Sequence, residues 1–232
     1  MLTSLFRGGD IRDIIISMLT TLPVILLSLS FHEFGHAWTA NRCGDPTARM
    51  MGRLTLNPLR HLDPMGFVMM LLVGFGYAKP VPVNPNNFKH KRRDDFMVSI
   101  AGVTCNLILA VVGTLLSMVF FYCTYVAKIP LFHASWMGVV YNMVESLIII
   151  NLSLMVFNLL PVPPLDGYHV WNDILFGRRL FAPQVASQIG MGILLVLMMT
   201  GMLDKFMSFT IGHLLSGLNR MAGAIFQFIG VV

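Results

Sequence analysis

The chain has 232 residues, of which 56% are hydrophobic and only 12% are charged, and its mean hydropathy is +0.73. These values exclude an ordinary soluble domain and indicate a polytopic membrane protein. The net charge of +5 is explained by basic loops between apolar stretches, which favours contact with anionic lipid over nucleic-acid binding.

Five apolar stretches are each long enough, or nearly so, for the roughly 20 helical residues that cross a bilayer. They are residues 14–31, 96–127, 137–160, 185–203 and 211–231. We therefore expect an all-α polytopic membrane protein with about four to six transmembrane helices.

Two segments do not fit a simple span. Residues 65–76 are apolar but too few to cross, which is typical of a re-entrant or interfacial element. Asn219 and Arg220 interrupt the last apolar stretch, so an orientation of 205–231 along the membrane interface is also open.

The placement of lysine and arginine predicts the orientation. Segments 42–60, 77–93 and 162–183 are basic, whereas the opposite loop, 128–135, carries only Lys128. We expect the three basic segments on the cytoplasmic side.

The motif His32-Glu33-Phe34-Gly35-His36 follows directly on the first apolar stretch. Histidines four residues apart lie on one face of a helix, so both imidazoles can reach one metal ion. A glutamate beside the first histidine is then positioned to accept a proton from water. Ionisable groups at membrane depth usually mark function, so the motif predicts hydrolysis at a metal site inside the bilayer.

A catalytic zinc needs a third protein ligand, and Asp166 is the candidate at the right depth. It follows the apolar stretch 137–160 in the sequence Asn158-Leu-Leu-Pro-Val-Pro-Pro-Leu-Asp166-Gly167. The prolines end the helix, and the glycine permits a sharp turn. Taken alone, this segment is better explained as an ordinary Asp-Gly loop.

Together these motifs resemble the site-2 protease family of intramembrane zinc metalloproteases. Members share a His-Glu-x-x-His on one membrane helix and an Asn-x-x-Pro-x-Pro-x-Leu-Asp-Gly segment after a later one, here 32–36 and 158–167. Segments 57–64 and 76–85 also resemble bacterial members. Residues 101–106 match the family's Ala-Gly-Pro-x-x-Asn pattern, except that Val103 stands in place of Pro.

The resemblance implies a set of site residues. Zn²⁺ is bound by His32, His36 and Asp166, and Glu33 is the general base. Asn106 and Asn158 are candidates for hydrogen bonds to the substrate backbone or the oxyanion, with helix–helix packing as the alternative role for both.

Segment 46–93 has two interpretations. It offers a strand edge to an unwound substrate, or it is an interfacial loop without substrate contact.

We expect one intramembrane metalloprotease domain over 1–232, with its core at 14–175 and C-terminal helices at 184–232. The resemblance implies an endopeptidase in the plasma membrane of a prokaryote, and the basic segments indicate that its active site lies toward the cytoplasm. Its substrates would be membrane proteins with a transmembrane segment, cut for regulated intramembrane proteolysis or for clearance of signal-peptide remnants. The alternative is a catalytically silent relative that binds membrane segments as a chaperone or scaffold.

Overall fold

Helices make up nearly all regular structure in the part of the chain that this computed structural model describes, residues 10–73, 76, 78–175, 183–228 and 230. The predicted all-α class is confirmed. Arg178 and Arg179, two of the basic residues in segment 162–183, lie outside the described residues. The α-helices are α1 (Ile11–Arg42), α2 (Thr47–Met50), α3 (Pro64–Val73), α4 (Lys91–Phe121), α5 (Ser135–Asn158), α6 (Asp166–Leu175), α7 (Pro183–Met199) and α8 (Met202–Phe228).

Three of these helices are long and apolar enough to cross a membrane, namely α1, α4 (continued by a π-helical turn to Val126) and α5. The pair α7 and α8 passes the same criterion only together, and the two helices are bent by 81° at their junction. Among the described residues, three helices are thus candidates for a span, one fewer than predicted, and the bent pair counted as one span brings the number to four, the lower limit of the predicted range.

Helix α4 is the centre of the bundle and contacts α1, α5, α6 and α8. Val103, which stands where the family pattern has Pro, is buried within α4. It belongs to an apolar core between α4 and α5, and one face of α8 packs against this core through Met207, Ile211, Leu214, Leu215 and Leu218. This packing fixes the helices that carry the candidate site.

Polar contacts also join the helices. The Asn151 amide on α5 donates a hydrogen bond of 2.8 Å to the Ser28 hydroxyl on α1, and both side chains are fully buried. A hydrogen bond at this depth favours one register of α1 against α5, because breaking it strands two polar groups away from water.

The connection between α1 and α4 contains the short helix α3. Its ten residues rise about 15 Å, half the hydrocarbon thickness, so α3 does not span the bilayer. An isolated antiparallel bridge joins Leu62 to Ala78 on either side of α3, and the Lys79 amide donates to the His61 carbonyl at 2.8 Å. Among the described residues of segment 46–93, the predicted strand edge is thus one bridge, followed by chain without regular secondary structure up to Asn84.

Asp45 ties this connection to the end of α1. Its buried carboxylate accepts hydrogen bonds from the Thr47 hydroxyl and amide, the Asn84 amide and the Asn87 side chain. Burial alone would raise the pKa of Asp45, but these hydrogen bonds outweigh it and hold the pKa below its usual value. Asp45 is therefore a charged anchor for the loop that approaches the site.

Replacing Asp45 with Asn is expected to lower the free energy of unfolding by about 1–3 kcal/mol, because its partners lose a charged acceptor. Since the folded pKa is depressed, the stabilisation is present above the unfolded pKa of about 3.9 and disappears as the pH falls through the folded value. Melting temperatures of both proteins measured from pH 7 downward should therefore converge below about pH 4. A difference that stays constant at lower pH would contradict this role.

Candidate metal centre

Helix α1 brings the two histidines of the motif together. His32 and His36 are buried, with relative exposures of 6% and 9%, and their Nε2 atoms lie 3.0 Å apart. One turn of helix separates the residues, so both side chains project from the same face of α1 toward α4.

Asp166 is the first residue of α6 and completes the cluster. Its Oδ2 atom lies 3.2 Å from the Nε2 of His32 and 3.2 Å from the Nε2 of His36. The chain reaches this position because the loop after α5 folds back onto the helix end at Gly167. A Cβ built on Gly167 would lie 2.4 Å from the carbonyl carbon and oxygen of Leu159.

The three atoms fit a zinc ion. Tetrahedral ligands at about 2.0–2.1 Å from zinc lie about 3.3–3.4 Å from one another, close to the 3.0–3.2 Å found here. The Oδ2 atom of Asp166 is buried and accepts no hydrogen bond within the described structure, so a lone pair is available to a metal.

The Nδ1 atom of each histidine, on the other side of the ring from the Nε2 that faces Asp166, has a partner on α4. His36 Nδ1 lies 2.7 Å from the Val98 carbonyl oxygen, so Nδ1–H donates to that oxygen and Nε2 keeps its lone pair. His32 Nδ1 lies 3.1 Å from Nδ2 of Asn106, a fully buried residue whose Oδ1 has no partner within the described structure. A half-turn of the amide lets Oδ1 accept from His32 Nδ1–H, which pairs the buried oxygen and leaves Nε2 for the metal.

Gly102 lies beside the candidate site, and the sequence motif that contains it did not indicate this position. A Cβ built there would lie 2.4 Å from Nε2 of His36 and 2.7 Å from Nε2 of His32. The backbone of α4 therefore passes directly beside the metal-facing nitrogens. The glycine in the Ala-Gly-x-x-x-Asn segment was the available signal, but its meaning depends on how α1 and α4 cross.

Glu33 faces the connection between α1 and α4. Its Oε2 atom accepts a hydrogen bond of 2.8 Å from the Val81 amide, which lies three residues after the Leu62–Ala78 bridge. The segment predicted as either a strand edge or an interfacial loop thus contacts the proposed base directly.

The structure places Asn158 differently from Asn106. It is the last residue of α5, and its Nδ2 donates to the Leu154 carbonyl of its own helix at 3.0 Å. Within the described residues, the triad of side chains that could hold a metal ion consists of His32, His36 and Asp166.

Comparison with known proteins agrees with the resemblance. The sequence profile of peptidase family M50 matches residues 20–200. The chain is 42% identical over 158 residues to YwhC of Bacillus subtilis, by name a candidate zinc metalloprotease, with 65% of this chain and 67% of that protein covered.

Two mycobacterial relatives, both named as candidate zinc metalloproteases Rip2, give similar matches. Identity is 33% over 186 residues with the Mycolicibacterium smegmatis protein, covering 78% of this chain and 67% of the relative. It is 36% over 185 residues with the Mycobacterium tuberculosis protein, covering 77% and 66%. The chain thus matches about two thirds of each relative's length. No solved structure gives a significant match.

Proposed function

The chain belongs to peptidase family M50, the site-2 proteases, which makes it a membrane metalloprotease that uses zinc, and we propose that it cuts peptide bonds within or near transmembrane segments of other membrane proteins. One observation carries this proposal. Three atoms of the kinds that bind zinc lie within 4.8 Å of one another in the bundle of apolar helices, and a glutamate is adjacent in the chain to one of the residues that supply them. The reaction class is therefore metal-assisted hydrolysis at membrane depth.

In this proposal His32, His36 and Asp166 hold the zinc and Glu33 moves the proton. Zinc bound there supplies Lewis acidity toward the attacking water and the scissile carbonyl. A carboxylate oxygen of Glu33 takes the proton of the water and then delivers it to the nitrogen of the leaving amine. The Val81 amide holds Glu33 Oε2 at 2.8 Å and so limits the rotamers of the base.

Asn106 orients His32 in this proposal. A metal-binding histidine needs an acceptor for its second N–H, and the buried amide of Asn106 stands at that nitrogen. This role differs from the oxyanion role expected from the resemblance, which stays a prediction. Asn158 keeps the proposed substrate role, because its amide has two N–H groups and the hydrogen bond to Leu154 uses one of them.

Replacing Asn106 with Ala is expected to weaken zinc binding by about 10- to 100-fold, whereas Asn106→Asp, which still accepts from His32, should keep it. Competition with a chromophoric chelator on the whole protein in detergent measures the zinc Kd. Asn158→Ala is the matched control and should leave the Kd unchanged. Wild-type zinc affinity in Asn106→Ala would contradict the orienting role. Full zinc but lost cleavage in Asn106→Asp would favour the oxyanion role instead.

We place the active site toward the cytoplasm of a prokaryotic plasma membrane. The basic segments flank the ends of α1 and α4 nearest the triad, and the named relatives are bacterial. From this position the site can cut membrane-tethered regulators or signal-peptide remnants.

We also propose that 14–175 and 184–232 act as one domain. The support for this is that α8 packs on α4 and α5, which belong to the catalytic core.

A cleavage assay tests the proposed activity. The whole protein is reconstituted in vesicles with a tagged single-span membrane protein, with and without a zinc chelator. Cleavage within or beside the span that stops on chelation and returns with added zinc is expected. Binding of the span without cleavage by the zinc-loaded protein would favour the alternative, a catalytically silent chaperone or scaffold.

A further inference from the structure

A groove of about 670 Å³ lies between α1 and α4, separate from the metal centre. On α1 it is lined by Phe31, Phe34, Trp38 and Arg42, spaced three or four residues apart. These positions form a stripe beside the one that carries the two histidines, and no residue of the triad lines the groove.

The two ends of the groove differ in chemistry. Phe31 on α1 and Ile108 on α4 lie at one end. Arg42, the last residue of α1, and Lys89 and Arg93, at the start of α4, lie at the other. The groove thus changes from apolar to basic along its length.

The basic end carries a net positive charge. The residues that line this end include three cations and one carboxylate, that of the buried Asp94, which lies 3.5 Å from Nε of Arg93. Arg42 is held over the Trp38 ring, with its guanidinium carbon 5.0 Å from the ring centroid. A stacked guanidinium keeps its N–H groups free for an anion while it loses less side-chain freedom on binding.

The length of the groove matches one lipid leaflet. From Phe31 to Arg42 the helix rises about 16 Å, and from Arg93 to Ile108 about 22 Å. One leaflet measures about 15 Å of hydrocarbon, or about 20–22 Å with its headgroups, whereas a membrane-crossing helix needs about 30 Å of contact. A lipid fits these dimensions better than a transmembrane segment.

We propose that this groove binds one anionic phospholipid. Its phosphate lies among Arg42, Lys89 and Arg93, and an acyl chain lies along the apolar stripe toward Phe31 and Ile108. Basic pockets between helices at the membrane surface suit such headgroups because the charges there are only partly screened by water. The inference does not depend on catalysis, because none of the proposed catalytic groups takes part.

Native mass spectrometry of the whole protein in detergent tests the proposal. Phosphatidylglycerol and phosphatidylcholine with identical acyl chains are titrated, and phosphatidylglycerol is expected to bind at least about tenfold more tightly. The triple variant Arg42→Gln, Lys89→Gln, Arg93→Gln should remove that preference. The matched triple variant Arg49→Gln, Arg60→Gln, Lys79→Gln removes the same charge from exposed sites outside the groove and should keep it.

The apolar half is tested by Thr104→Trp, which places a large side chain in the groove at an exposed position on α4. It should weaken binding of phosphatidylglycerol although no charge changes. Equal binding of the two lipids, or equal losses in both triple variants, would show diffuse attraction and overturn the proposal. Unchanged binding in Thr104→Trp would overturn it too, and displacement of the lipid by a transmembrane peptide of leucine and alanine would assign the groove to a protein ligand.

Discussion

Replacing Glu33 with Gln is expected to lower the rate of peptide hydrolysis by about 10²- to 10⁴-fold while zinc remains bound. Gln has the same shape and can still accept the hydrogen bond from the Val81 amide, so the local geometry is preserved. It cannot take a proton from water. The change should therefore remove the proposed proton transfer and leave the proposed metal ligands in place.

The chain offers a matched control in its other glutamate. Glu145 also lies at membrane depth, where it accepts a hydrogen bond of 2.7 Å from the Ser117 hydroxyl on α4. Glu145→Gln should cut at close to the wild-type rate. Rates and bound zinc are measured on the same reconstituted samples. Wild-type cleavage by Glu33→Gln would show that another group moves the proton.

Replacing Gly102 with Ala is expected to lower zinc affinity by about 100-fold or more. The added methyl group would lie 2.4 Å from Nε2 of His36, closer than atoms can approach, so α4 or the imidazoles must move. The nearest atoms belong to the ligands themselves, and a displacement of that size separates them from Asp166. Overpacking also costs stability, typically about 1–3 kcal/mol.

Gly138→Ala is the control for this change. Gly138 lies in α5, and a Cβ built there meets nothing within 4 Å. Alanine should therefore be tolerated at that position and should even favour the helix slightly. The zinc Kd of both variants is measured by chelator competition, and the melting temperature reports on folding. Wild-type zinc affinity in Gly102→Ala would mean that α4 does not pass beside the metal as described.

Local spacing was sufficient to predict part of the site. His32 and His36 are one helical turn apart, so the sequence alone places them on one face. Asp166 follows an apolar stretch of spanning length and lies two residues after Pro164, the last of three prolines that end the helix, and directly before Gly167. Its depth could be estimated from these features, and the structure brings its carboxylate within 3.2 Å of both histidines.

The remaining contacts depend on how distant parts of the chain meet. Asn106 is 74 residues from His32, and Val81 is 48 residues from Glu33. Neither contact has a local sequence signal, because each depends on the packing of α1 against α4 and its connection. The role of Gly102 is hidden for the same reason: a glycine in an apolar helix has many possible causes, and only the crossing of the two helices identifies this one.

The membrane-spanning helices also have features that the sequence predicts and features that it does not. Apolar length predicted α1, α4 and α5, since 20 or so consecutive apolar residues suffice for that prediction. The size of the bend between α7 and α8, 81°, could not be predicted, because hydropathy indicates which segments are buried in lipid and not the angle between helices at a short break.

The zinc content of the purified protein tests the split site most directly. Elemental analysis and chelator competition are applied to the whole protein and to Asp166→Ala in the same detergent. About one zinc ion per chain is expected in the wild type, with most of it lost from the variant because two histidines alone do not hold a catalytic zinc. Full zinc occupancy with unchanged affinity in Asp166→Ala would contradict the assignment of Asp166 as the third ligand.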